Sequence, residues 1–160
     1  MSTIPALTIW QPWATLIAEG LKPYEFRGWA APAALVGQRI AIHAGARPVR
    51  KAEVRDLLLR LHSLSWRESG LVREGSLVLL DLVLTAPGLL PLSSVLCTAV
   101  LGQPIRDNDL AERLGLPAVN DSDRSEHSSW GWPLTDIVRL EPFVPAKGAQ
   151  GFWQWTPPGG

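Results

Sequence analysis

Alternation opens the chain: "IPALTIW" places Ile4, Ala6 and Thr8 on one side of a strand and Leu7 and Ile9 on the other. The spacing changes in "QPWATLIAEG", where Trp13, Leu16 and Ile17 share one face of a helix running from Pro12 to Glu19. Pro12 suits a first helical turn, where its missing N–H costs nothing, and Gly20 suits a left-handed stop. "QRIAIHAG" returns to alternation, with Ile40 and Ile42 on one side and Arg39, Ala41 and His43 on the other. The clearest helical repeat follows in "PVRKAEVRDLLLRLHSL", predicted from Val49 to His62 with Pro48 near its start. There Val54, Leu57, Leu58 and Leu61 form an apolar stripe opposite Arg50, Lys51 and Arg55.

"GSLVLLDLVLTAP" fits neither period. Nearly continuous apolarity bounded by Gly75 and Pro87 predicts a buried central strand. From Gly88 to Ser129 the pattern blurs into an apolar stretch, a short helix "DNDLAERLG" capped by Asp107, and a polar loop "NDSDRSEHSS". Part of that segment is expected to act as a movable rim. Two strands, "LTDIVRLEPF" and "GFWQWT", close the pattern, joined by "VPAKGAQ", and residues 157–160 read as a fraying tail. Strands separated by single helices, without the alternation of a doubly wound sheet, predict an α+β fold. The expectation is a small mixed or antiparallel β-barrel of five or six strands with two or three helices packed outside. The 160 residues suit one domain, placed at 1–156.

The formal charge is zero but unevenly spread: nine Lys/Arg face four Asp/Glu up to Arg67, and six face eleven beyond it. A neutral chain is not a strong nonspecific nucleic-acid binder, so any such contact is expected to be local, on the basic first half. Cys97 is the only cysteine, which excludes intrachain disulfides and cysteine-rich metal sites. No apolar run reaches the ~18 residues of a membrane span, and no secretory signal is evident, so a cytoplasmic location is expected.

Charge concentrates in "GLKPYEFRGW". Pro23 turns Lys22 out of helical geometry, and in the extended segment that follows Glu25 and Arg27 point to one side and can pair. Taken alone, such a cluster reads as a solvated salt bridge. In company it reads differently. "LTIWQPWATLIAEGLKPYEFRGW", then "GQRIAIHAGAR", then "KGAQGFW" resemble the ASCH domain family of the PUA-like superfamily, whose Gly-x-Lys-x-x-Glu-x-Arg signature is met by Gly20, Lys22, Glu25 and Arg27.

The resemblance implies a PUA-like pseudobarrel with a cleft beside the first helix, suited to RNA or a nucleoside-sized ligand. Relatives bind RNA, and individual members are associated with ribonuclease activity or hydrolysis of acetylated cytidine. Two functions follow. One is binding of single-stranded RNA or a modified nucleoside or nucleotide, with Arg27 and Lys22 on phosphate or base edges. The alternative is a small hydrolase of RNA or acylated nucleosides, in which Lys22 activates or stabilises an oxyanion and Glu25 is the acid/base group. The amidohydrolase-like members carry a threonine nucleophile where this chain has Glu25, so their mechanism does not transfer unchanged. Their further acid has no counterpart in the pattern; Asp121, Asp123 and Glu126 are the candidates.

Eight tryptophans divide between core and site. Trp10, Trp13 and Trp153 are assigned to the core. Trp29, and the pair Trp130 and Trp132 in "SSWGWP", where Gly131 and Pro133 predict a loop, are candidates for base stacking, and Tyr24 joins the ligand-binding set. His43 ends a strand near the expected cleft as ligand contact or general base. His62 suits a helix C-terminus. His127 lies among Asp121, Asp123 and Glu126 at no standard ligand spacing, so neither metal nor cofactor is expected. Lys22→Ala and Glu25→Ala are expected to cost little stability, and Arg27→Ala more.

Overall fold

The computed structural model describes residues 2–159. In chain order the elements are β1 (Ile4–Ile9), α1 (Trp13–Ala18), β2 (Tyr24–Arg27), β3 (Arg39–Ala44), α2 (Lys51–His62), α3 (Arg73–Thr85), β4 (Ser94–Leu101), β5 (Ile105–Arg106), α4 (Asp107–Leu114), β6 (Trp130–Pro145) and β7 (Phe152–Trp155). Seven strands form a mixed sheet in the order β2-β6-β4-β3-β1-β7, with β5 also paired to β6. β1 and β3 run parallel, and every other pairing is antiparallel.

The expected barrel is not closed. β6 is long enough to serve two ladders: Trp130 to Pro133 pair with β2, and Leu134 to Pro145 with β4. Register shifts in the β3–β4 and β4–β6 ladders add local twist. Among the described residues the strand order nevertheless ends at β2 and β7 with no ladder joining them. Side chains bridge that seam instead. Trp132 of β6 stacks on Phe152 of β7 with centroids 5.9 Å apart, and Arg27 Nη2 donates to the Thr8 carbonyl at 3.2 Å.

Alternation sends the two sides of β1 and β3 into separate apolar clusters. Leu7, Ile9, Ile40 and Ile42 enter the main core with α1, α2 and α3, while Ala6, Ala41, Val95 and Trp155 form a smaller cluster. A third, around Phe26, Leu110 and Val119, seats α4 against β2. α1 is covered on every side: all six of its residues are buried, packed into the main core.

The segment expected to be a central strand is the helix α3, so the helices number four among the described residues. Its buried positions Ser76, Leu80 and Val83 do keep helical spacing. Exposed Val78 and Leu82 on the outer side hide that stripe by making the run apolar all round. The blurred middle contains β4, buried along nearly its whole length and therefore lacking an alternation signal. α4 lies where "DNDLAERLG" placed it, but Arg106 occupies the cap position and the Asp107 carboxylate accepts only from the Asn108 N–H. Cys97 is buried, and desolvation pushes its thiol up to about 12, which leaves it inert. Among the described residues no helix is long and apolar enough to cross a membrane.

Candidate functional site

Gly20, at φ +73°, ends α1 in a Schellman turn: its N–H reaches the Ile17 carbonyl and the Leu21 N–H reaches that of Leu16. The turn drives Lys22 inward. The lysine is 2% exposed, and its ammonium donates to the Tyr24 carbonyl at 2.6 Å, lies 3.3 Å from Glu25 Oε1 and pairs with Asp121 Oδ2. Its three protons therefore have three acceptors. The Phe26 ring packs 5.1 Å from the same nitrogen.

Pro23 then lets β2 extend, and Glu25 and Arg27 do share a side. Glu25 Oε2 accepts from Arg27 Nε at 2.9 Å, and Arg27 Nη2 lies at the same distance. Charges alternate along the chain Asp121–Lys22–Glu25–Arg27, so each carboxylate touches a cation. Asp121 is fixed from behind by the Trp13 indole N–H, which donates to its carbonyl at 3.0 Å. Burial pushes the Asp121 carboxyl above its usual range, the nearby Lys22 charge opposes that shift and Glu25 adds to it.

Across the seam from this ionic group stands a neutral one. The Trp153 indole N–H donates to Thr8 Oγ1 at 3.0 Å, and Thr8 Oγ1 meets His43 Nδ1 at 3.0 Å. His43 Nε2 meets the Ala146 carbonyl at 2.6 Å. A carbonyl can only accept, so Nε2 carries the proton and Nδ1 accepts from the threonine hydroxyl. Burial accordingly holds the imidazole pKa below its ordinary value. The β6–β7 connection lies directly over this pair: a Cβ on Gly148 would fall 2.5 Å from Thr8 Oγ1 and 2.6 Å from His43 Cε1.

Between the two walls opens a cleft of about 1370 Å³. Glu25, Arg27, Trp29 and His43 line it, together with Thr8, Trp10, Asp121, Arg124 and Lys147. Trp10 and Trp29 each keep about two fifths of their surface exposed, at 40% and 43%. Trp10 is thus not core, contrary to its assignment, and Trp153 is only half-buried against His43.

Other assignments move as well. Trp130 and Trp132 stand in β6, not in a loop. Trp132 is fully buried, with its indole N–H on the Trp29 carbonyl at 3.1 Å, and Trp130 is half-buried with the Arg106 guanidinium 4.4 Å above its ring. Tyr24 faces the Phe26 cluster, away from the cleft. Lys22 lies behind the cleft lining. The expected order of mutational damage therefore reverses: Lys22 and Glu25 are buried, whereas the Arg27 side chain is a quarter exposed at 25%. Of the three acid candidates, Asp121 is buried against Lys22, while Asp123 and Glu126 are exposed. Among the described residues no three His, Cys, Asp or Glu side chains gather as a metal site would require.

Nothing in the local sequence separated Asp121 from Asp123 and Glu126, because its partner Lys22 is 99 positions away. Thr8 and Trp10 do carry a signal in retrospect: both continue the strand that runs into the helix before the signature.

No curated protein matches the chain. Residues 7–77, from β1 through α2 and into α3, match the family model of the ASCH domain, a span that carries Gly20, Lys22, Glu25 and Arg27.

Proposed function

We propose that the chain binds a nucleotide or single-stranded RNA, holding one or two bases in the cleft between β2 and the β1–β3 wall. The observation that carries this reading is the composition of the cleft. Exposed Trp10 and Trp29 offer π-faces within a space large enough for a nucleotide, beside the paired Glu25 and Arg27. The lining mixes signs, with Arg27, Arg124 and Lys147 against Glu25, Glu53, Asp121 and Glu126. A polyphosphate site would be cationic throughout; mixed donors and acceptors suit base edges with few phosphates. The ASCH match supports the same direction.

Lys22 serves this site from behind. With all its protons engaged it contacts no ligand, and it holds Glu25 and Asp121 at fixed positions. The hydrolase reading rests on Asp121, whose buried carboxyl retains a proton beyond the usual carboxylate range and borders the cleft. It supplies an acid but no activated nucleophile, so binding is the better-supported function.

The test is a panel of unmodified, methylated and acetylated nucleosides, their monophosphates and short single-stranded RNAs, scored for affinity and turnover. Binding with a shallow salt dependence, weakened about tenfold by Arg27→Ala and without turnover, is the expected result. Turnover of an acylated nucleoside that disappears in Asp121→Asn establishes the hydrolase instead. Absence of both binding and turnover contradicts the two readings together.

A further inference from the structure

Trp10 follows β1 and presents its ring to the cleft with two guanidinium groups against it, Arg47 at 3.7 Å and Arg124 at 4.9 Å from the ring centroid. The two cations are held differently. Arg47 is anchored, its Nη2 donating to Glu53 Oε1 at 2.6 Å, with 14% of its side chain exposed. Arg124 is exposed, and among the described residues its guanidinium takes part in no hydrogen bond or ion pair. Its backbone, by contrast, is fixed: the N–H donates to Ser122 Oγ, and the carbonyl accepts from Ser128 Oγ and the His127 N–H. Among the described residues, the Trp10 indole is the partner of its guanidinium.

We infer that Trp10 is the stacking platform for the ligand's base, and that Arg124, which covers the ring in the free protein, yields it on binding and pairs with the ligand's phosphate. This rests on the nucleotide-binding reading and names the subsite within it. An exposed cation over an indole is a weaker contact than a base stacked on the same ring, so the exchange runs toward the base. The displaced guanidinium stays at the cleft on a fixed backbone, and its donor fork matches phosphate oxygens. Arg47 remains against the ring and keeps its orientation. The substrate class is thus a nucleotide or a phosphodiester-linked nucleoside rather than a free base. Trp29 plays a different part, since its ring packs edge-on to Trp132 at 4.9 Å and, among the described residues, has no cation over it to exchange.

The experiment compares each of the four ribonucleosides with its 5′-monophosphate by calorimetry, in the wild type, Trp10→Leu, Trp10→Phe and Arg124→Ala. Wild type should prefer the monophosphate. Trp10→Leu should lose about tenfold or more for both ligand types, and Trp10→Phe should recover part of that loss. Arg124→Ala should bind the nucleoside about two- to fivefold more tightly, because the competitor for the ring is gone, while the preference for the monophosphate disappears. Arg124→Ala weakening both ligands equally, or leaving both unchanged, overturns the inference, as does unaltered binding in Trp10→Leu. If those variants bind like wild type while Arg27→Ala loses affinity, the subsite is wrong and the cleft stands. If wild type binds none of the ligands, both fall.

Discussion

On the β2 wall of the cleft four charged groups, Lys22, Glu25, Arg27 and Asp121, hold one another in place, whereas on the β1–β3 wall Trp153, Thr8, His43 and Ala146 form a chain of neutral hydrogen bonds. Both walls are largely buried, yet they fail in different ways. An ionic network that loses one member strands a charge in a poorly solvated place. A neutral chain that loses one member leaves a hydroxyl or carbonyl unpaired, which costs less. The ionic wall therefore suits a rigid framework for ligand contacts, and the neutral wall suits a tether for the β6–β7 connection.

The largest effect expected from this contrast is at Lys22. Lys22→Met should destabilise the protein by about 3–5 kcal/mol in urea unfolding, because two buried carboxylates lose their shared cation. Pairing it with Asp121→Asn should recover part of the loss, and additivity of the two changes would mean that the groups do not act as a network. Next comes Gly148→Ala on the opposite wall. A methyl group there meets Thr8 and His43, neither of which can move without breaking the chain, so a loss of about 1–3 kcal/mol should appear in thermal melts. Arg27→Ala should cost less, about 1 kcal/mol, since Glu25 keeps Lys22; its effect should fall on ligand affinity.

The smallest effect distinguishes the walls most cleanly. Asp121 has a raised pKa in the folded state, so the stability it contributes is complete below the ordinary aspartate range and is lost as pH rises through the raised value. His43 has a lowered pKa, so its contribution is complete above the ordinary histidine value of 6.5 and is lost as pH falls through the lowered one. Melting temperatures followed from about pH 4 to 8 should show each limb vanish separately, the first in Asp121→Asn and the second in His43→Asn. Loss of the same limb in both variants would show that the walls titrate as one unit.

The same contrast marks how far the sequence could be read. The neutral wall was visible because alternation in "IPALTIW" and "QRIAIHAG" set strand and face for Thr8 and His43, although not their mutual contact, which requires β1 and β3 to be parallel neighbours. For the ionic wall, local chemistry around Pro23 and Gly20 was sufficient to pair Glu25 with Arg27. Its burial was not legible: Lys22 is hidden by Asp121, supplied by a polar loop from a part of the chain with no periodic signal. A charge run ordinarily reads as solvated, and only a distant counter-ion reverses that. The α3 and Trp132 misreadings have a related cause. A helix apolar all round loses its period, and Gly131 and Pro133 mimic a turn inside β6, where Pro133 pairs opposite Tyr24. The open seam could not have been read either, because it depends on β6 being shared between two ladders.

The most direct test of the cleft as a base-binding site uses the tryptophans themselves. In a titration with a short single-stranded RNA followed by indole ¹⁵N–¹H spectra, the resonances of Trp10 and Trp29 should shift most. Trp153 should follow through its bond to Thr8, and Trp66, which lies outside the cleft lining against Arg73, should stay in place. Shifts confined to Trp66 or Trp130, or RNA binding that moves no indole in the cleft, would contradict the account.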